Sequence, residues 1–165
     1  MIKRGGVYIM ESTEIVGDVT IGENSSVWSK AVIRGDECSV TIGKTTNIQD
    51  MCVIHPETDI PMEIGDNVTI GHGAVIHCRK IGSHCMIGMG ALILDNAEIG
   101  EYSIIGAGAV VLENAKIPPR SMALGIPGKV VRAIDDDGIK RIKSAALNYL
   151  RLSQAHYKGE YKRIS

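Results

Sequence analysis

Three histidines, His55, His72 and His77, are the side chains of this sequence best suited to chemistry. Imidazoles projecting from a rigid scaffold hold transition metals. Three of them leave a fourth position open to water, the arrangement of a catalytic rather than a structural zinc. Such a metal lowers the pKa of its bound water to near 7, so hydroxide is available at neutral pH. Supporting polar groups lie nearby in sequence. Arg34 and Asp36 make an Arg–carboxylate pair able to align a subunit interface, and Gln49, beside Asp50, carries an amide able to orient a bound hydroxide.

The frame that must position these groups is a six-residue repeat. Ile or Val recurs from Ile9 to Ile117 in steps of six, broken by steps of nine (Ile33 to Ile42), ten (Ile54 to Ile64) and five (Ile76 to Ile81). A small residue such as Ala31, Cys52, Ala74, Cys85 or Ala91 stands two places earlier, and glycine often follows directly. Residues two apart on an extended segment face the same side, so the large and small residues both point inward. Glycine is then expected at the corner where the chain turns. An amphipathic helix needs a period near 3.6, whereas a period of six is that of a parallel β-helix. Eighteen aliphatic positions at three per coil make about six coils.

Glycine is replaced after the aliphatic residue by Trp28, Arg34, Gln49, His55, His77 and Leu94. His55 and His77 each follow the second position of adjacent coils, so they stack at about the 4.8 Å strand spacing and can offer two nitrogens to one metal. His72 belongs to a different face. Five residues of extended chain, ~16 Å before any bend, separate it from His77. One chain is therefore not expected to bring all three onto one ion. A symmetric neighbour can, and closure around a three-sided prism suggests a trimer with interfacial sites. Arg34 with Asp36, and Gln49 with Asp50, are expected at comparable corners of neighbouring coils.

The chain has 165 residues and a net charge of -1, so no field favours nucleic acid or an anionic membrane. The start lacks a signal-peptide core, no apolar run reaches ~20 residues, and a cytoplasmic, membrane-free protein is expected. Cys38, Cys52, Cys78 and Cys85 lack the paired spacing of a zinc site. Their even number suits disulfides, but Cys52 and Cys85 fall on small inward positions, where a free thiol serves as a small hydrophobe. Residues 1–134 read as the repeat domain with a short Pro/Gly-rich closing segment. Residues 135–165 read as a C-terminal helical unit packing on the prism. Asp135, Asp136 and Asp137 cap a helix over about 136 to 157, with Ile139, Ile142, Ala146, Tyr149, Leu150, Ser153 and Tyr157 on one stripe. It is expected along an outer face, in its own subunit or at a subunit contact.

The strings VWSKAVIRGDE, TNIQDMCVIHPET, IGDNVTIGHGAVIHC and IGMGALILDNAEIG resemble the γ-class carbonic anhydrase family of left-handed β-helix proteins, from Ile9 to the C-terminal helix. The resemblance implies a left-handed coil and a homotrimer. It also implies zinc, or ferrous iron or cobalt, held by His55 and His77 of one chain and His72 of the next. By the same resemblance Arg34, Asp36 and Asp50 join the interface network, Gln49 orients the hydroxide that attacks CO2 to give bicarbonate, and Asn47 positions bicarbonate. Glu37 matches an acidic residue of the archetype, and Tyr149 a tyrosine reaching the site from the helix. The archetype's acidic proton-shuttle loop is missing: the third residue after His55 is Thr58, and Glu57 is one place early. Two other functions compete. One is a non-catalytic metal-binding scaffold trimer. The other is a hexapeptide acyltransferase, suggested by GIPGKVVR (Gly125 to Arg132), which resembles a coenzyme A-holding segment.

Overall fold

The aliphatic period dictates the fold. Each Ile or Val begins or ends a short strand, and strands from successive coils pair in parallel with equivalent repeat positions in register, as in Ile54↔Ile76↔Ile93↔Val111. The computed structural model describes residues 1–162 and 164, so 163 and 165 of the expected C-terminal unit lie outside the described residues. The result is a mainly β parallel solenoid of about six turns with one C-terminal helix.

Three faces follow from three strands per coil. The first runs through Val7–Ile9, Ser26–Val27, Asn47–Ile48, Thr69–Ile70, Met86–Ile87, Ile104–Ile105 and Ser121–Leu124. The second comprises the first halves of Glu14–Ile21 and Val32–Ile42, then Val53–Ile54, Val75–Ile76, Leu92–Ile93 and Val110–Val111. Their second halves, with Met62–Ile64, Lys80–Ile81, Glu98–Ile99 and Lys116–Ile117, make the third. Inside, Ile33, Ile54, Ile70, Ile76, Ile81, Ile93 and Ile105 are fully buried, each stabilising by roughly 1.5–3 kcal/mol. Cys52 and Cys85 fill small inward positions as expected, and all four cysteines are free thiols.

Glycine's role differs from the expectation. After most of the aliphatics the chain turns at the third residue, which adopts a left-handed φ: Asn24, Asn67, Asn96 and Asn114 do so, at +55° to +62°. The glycine directly after the aliphatic answers another need. A Cβ at Gly88 would lie 2.3 Å from the backbone N of Ala107 in the next coil. Stacked coils approach too closely there for a side chain.

The three faces differ outside. The third carries Glu63–Lys80 and Glu98–Lys116 ion pairs at 3.2 and 3.3 Å. The second presents Val32, Val53, Val75, Leu92 and Val110, with Val53 and Leu92 exposed. The helix, Asp136–Tyr157, covers the first face of its own chain, reaching strands of the first four coils. Asp135 caps it by accepting from Gly138 N at 2.8 Å. Ile142, Ala146, Ser153 and Ala155 are its buried residues, whereas Tyr157, expected on the stripe, is exposed and touches Tyr8 edge-on at 5.9 Å. No described helix is long and apolar enough to cross a membrane.

Candidate metal centre at two corners of the prism

The broken steps of the repeat lie at one corner, after the second face. Pairing of Gly17 with Gly35 and of Val19 with Val40 leaves Asp36, Glu37, Cys38 and Ser39 opposite Asp18 alone, so this stretch bulges outward. One coil later the ten-residue step carries His55, Glu57 and Thr58, and Thr58 Oγ1 donates to Glu37 at 2.5 Å. His77 follows in the next coil, stacked on His55 because Ile54 pairs with Ile76. His55 Nδ1 and His77 Nε2 are 3.2 Å apart, with ring centroids at 5.3 Å. Two nitrogens bound tetrahedrally at 2.0–2.1 Å to one metal sit ~3.3–3.4 Å apart, so this pair fits a shared ion.

The other ring nitrogens meet carboxylates. His77 Nδ1 lies 2.6 Å from Asp95 Oδ1. His55 Nε2 is buried and makes no hydrogen bond, with Asp36 Oδ1 at 3.4 Å. Arg34 grips Asp36 through Nε and Nη2 at 2.9–3.2 Å, and this hydrogen-bonded guanidinium holds the Asp36 carboxyl below its usual range. Both side chains are exposed.

A second cluster occupies the corner after the first face. Gln49 and Asp50 follow Ile48, and His72 follows Gly71 one coil on. Arg34–Asp36 and Gln49–Asp50 therefore lie at different corners, contrary to the expectation of comparable ones, because Ile33 ends a second-face strand and Ile48 a first-face strand. His72 Nδ1 contacts Asp50 Oδ2 at 2.8 Å, and its Nε2 lies 3.3 Å from Tyr149 Oη. The buried Gln49 donates to Asn47 Oδ1 at 3.1 Å and accepts from the His72 backbone N at 3.2 Å, and Asn47 donates to Thr69 Oγ1 at 2.9 Å. Trp28 packs edge-on against Tyr149 at 5.4 Å, fixing the helix so that its phenol reaches the corner. Burial, and then the Asp50 charge, push the Tyr149 phenol above its usual range.

Every site residue anticipated from sequence thus falls into one of two clusters. His55, His77, Arg34, Asp36 and Glu37 share one corner; His72, Gln49, Asn47, Asp50 and Tyr149 share the other. Among the described residues, the single group of three metal-type donors within 4.8 Å of one another is Glu57, His77 and Asp95, not the three histidines.

Residues 80–113 match the family described as bacterial transferase hexapeptide (six repeats). The chain is 57% identical over 148 residues, 90% of its length and 93% of the other's, to "Probable carbonic anhydrase" of Methanocaldococcus jannaschii. It is 39% identical over 156 residues to "Gamma carbonic anhydrase 2, mitochondrial" of Arabidopsis thaliana, spanning 91% of this chain and 56% of that one. It belongs to the γ-class carbonic anhydrase family. Membership in the γ-class family implies a metal cofactor. A hexapeptide transferase family protein from Anaplasma phagocytophilum has the same fold, with a TM-score of 0.88, 33% identity and coverage of 92% of this chain and 90% of that one.

Asp95 and Glu57, beside His77, were not anticipated as a pair with it. The signal for Asp95 was its register: it stands two residues past Ile93, one coil beyond His77 and at the same corner.

Proposed function

We propose that this γ-class family member is a metal-dependent carbonic anhydrase that hydrates CO2 reversibly to bicarbonate at a site shared between subunits of a homotrimer. Zinc is the first candidate metal, with ferrous iron and cobalt as alternatives. The observation that carries the reading is the division of the site residues into two corner clusters, each incomplete in its own chain. Two unlike patches that complete each other meet head to tail, which closes into a ring and not into a twofold dimer. The second face favours this closure. Its aliphatic stripe is bare, while the first face is covered by the helix and the third is charged.

His55, His77 and the neighbouring chain's His72 would hold the metal, with His72 offering the nitrogen now near Tyr149. Bound there, the metal would make hydroxide available near pH 7. The rest of the work falls to this chain. Gln49 is held at both ends of its amide, by Asn47 and by the His72 backbone, so its remaining N–H has a fixed direction and can orient an oxygen at the site. Asn47 and Tyr149 line the same side and would position bicarbonate. Arg34 keeps Asp36 ionised at the rim, and Glu37 stands beside it as a proton-accepting carboxylate.

The test is elemental analysis of the purified protein alongside its mass in solution, followed by CO2 hydration with and without metal. About one metal per chain in a trimer, with hydration lost on stripping and restored by zinc, supports the proposal. A metal-free trimer that refuses added zinc overturns it. Bound metal without hydration leaves the scaffold reading, and acetyl-CoA-dependent transfer the acyltransferase reading.

A further inference from the structure

We infer that Asp95 is a positioning residue of the metal site, fixing the tautomer and orientation of His77 before a second chain arrives. The inference rests on the proposed metal site and adds to it a residue two coils beyond the first histidine. The argument is one of distances. Two donor atoms sharing a tetrahedral ion at 2.0–2.2 Å sit ~3.3–3.6 Å apart. His77 Nδ1 and Asp95 Oδ1, at 2.6 Å, are too close for that, and the distance suits a strong hydrogen bond to a carboxylate. The proton therefore rests on Nδ1 and Asp95 accepts it. Nε2 keeps its lone pair, and that lone pair faces His55 Nδ1 at 3.2 Å, a separation that does suit a shared ion.

Asp95 is well placed to hold this geometry. It follows the Leu92–Ile93 strand, which pairs in register with Val75–Ile76, so the carboxylate and the imidazole come from adjacent rungs of one rigid ladder. The other corner repeats the device. Asp50 takes His72 Nδ1 at 2.8 Å and leaves Nε2 facing the Tyr149 phenol at 3.3 Å. Each chain thus carries one two-nitrogen half-site oriented by Asp95 and one single-nitrogen half-site oriented by Asp50. A carboxylate behind a ligating histidine raises its basicity and fixes its ring, and loss of such a partner typically costs 10–100-fold in metal affinity. The 2.6 Å contact also argues against Glu57, His77 and Asp95 forming a separate cation site, since no ion fits between two atoms already hydrogen-bonded.

The experiment uses the full chain as its natural assembly, loaded with cobalt(II). Affinity is read by chelator competition and ligand geometry by visible absorption, for wild type, Asp95→Ala, Asp95→Asn and, as a control, His77→Ala. Asp95→Ala should bind cobalt 10–100-fold more weakly with a shifted spectrum. Asp95→Asn, whose amide oxygen can still accept the Nδ1 proton, should fall between it and wild type. Asp95→Ala with affinity within twofold of wild type and a superimposable spectrum overturns the inference. So does a wild-type chain with a second ion per subunit that Asp95→Ala alone removes, because Asp95 would then be a ligand. Should the alanine variant fail to assemble, the asparagine variant decides by the same two readouts. If His77→Ala keeps wild-type cobalt, the metal-site reading itself fails, which the control separates from failure of the role given to Asp95.

Discussion

Replacing His72 by alanine tests the division of the site between chains most directly. In its own chain the His72 ring pairs, among the described residues, with Asp50 and Tyr149, and its side chain is 41% exposed. Losing an exposed pair of this kind costs ~0–1 kcal/mol, so the variant should fold and melt close to wild type. Metal binding should respond far more. Structural zinc sites with four ligands bind with about 10–16 kcal/mol, or roughly 2.5–4 kcal/mol per ligand, so removal of one nitrogen should weaken binding by about 10²–10³-fold. The double variant His55→Ala/His77→Ala, which loses two nitrogens, should bind metal more weakly still. Co-production of the two then separates the alternatives. In a ring whose sites take His55 and His77 from one chain and His72 from the next, equal random mixing rebuilds about a quarter of the sites. Elemental analysis of the mixed assembly should find that fraction, and CO2 hydration should recover with it. If mixing restores no metal above either parent, the site is not shared between chains. Stoichiometric metal in His72→Ala alone would remove His72 from the ligand set.

Two further outcomes follow from the coil. Gly88→Ala should destabilise the fold by about 1–3 kcal/mol or more and lower the melting temperature sharply, because its Cβ meets the next coil's backbone at 2.3 Å, while Gly90→Asn, at φ +65° in open space, should stay within about 0.5 kcal/mol; equal losses would refute the close-approach account of the first glycine. Burial pushes the thiol of Cys52 up to about 11 and those of Cys78 and Cys85 to about 12, so the native protein should resist alkylation at all three at pH 9 while Cys38 reacts. Because these folded values are raised, the neutral thiols add stability that is fully present below the unfolded value near 9 and is lost as pH rises through 11–12; a melting temperature flat from pH 8.5 to 11 would contradict this.

The coil was legible because its signal is redundant. Eighteen in-phase aliphatics overdetermine three faces, and the relative phases of His55, His77 and His72 then follow by counting. Two readings failed for want of a distance. Glycine after the aliphatic looked like a turn residue because turns favour glycine. The turn belongs instead to residues such as Asn67 and Asn96, and a glycine such as Gly88 is demanded by the next coil's backbone, 2.3 Å from where its Cβ would lie, which composition does not reveal. Arg34 and Gln49 looked equivalent because each follows an isoleucine. Which face that isoleucine closes depends on a count carried across the nine-residue step.

The irregular steps carry one of the two clusters, that of His55 and His77. A coil of three regular six-residue steps gives its outward side chains little freedom, since each is fixed by the strand above and below. Extra residues after Ile33 and after Ile54 relax that constraint at one corner in two successive coils. The first bulge turns Asp36 toward His55 Nε2, and the second brings Glu57 beside His77 and Asp95. The docking side of the helix was similarly open in sequence, where its stripe fits any apolar face. Trp28 decides it: packed against Tyr149, it ties the helix to the first face and so sets the phenol 3.3 Å from His72. Sequence period supplies the rungs, and the departures from it, with one tryptophan, determine which side chains meet at each corner.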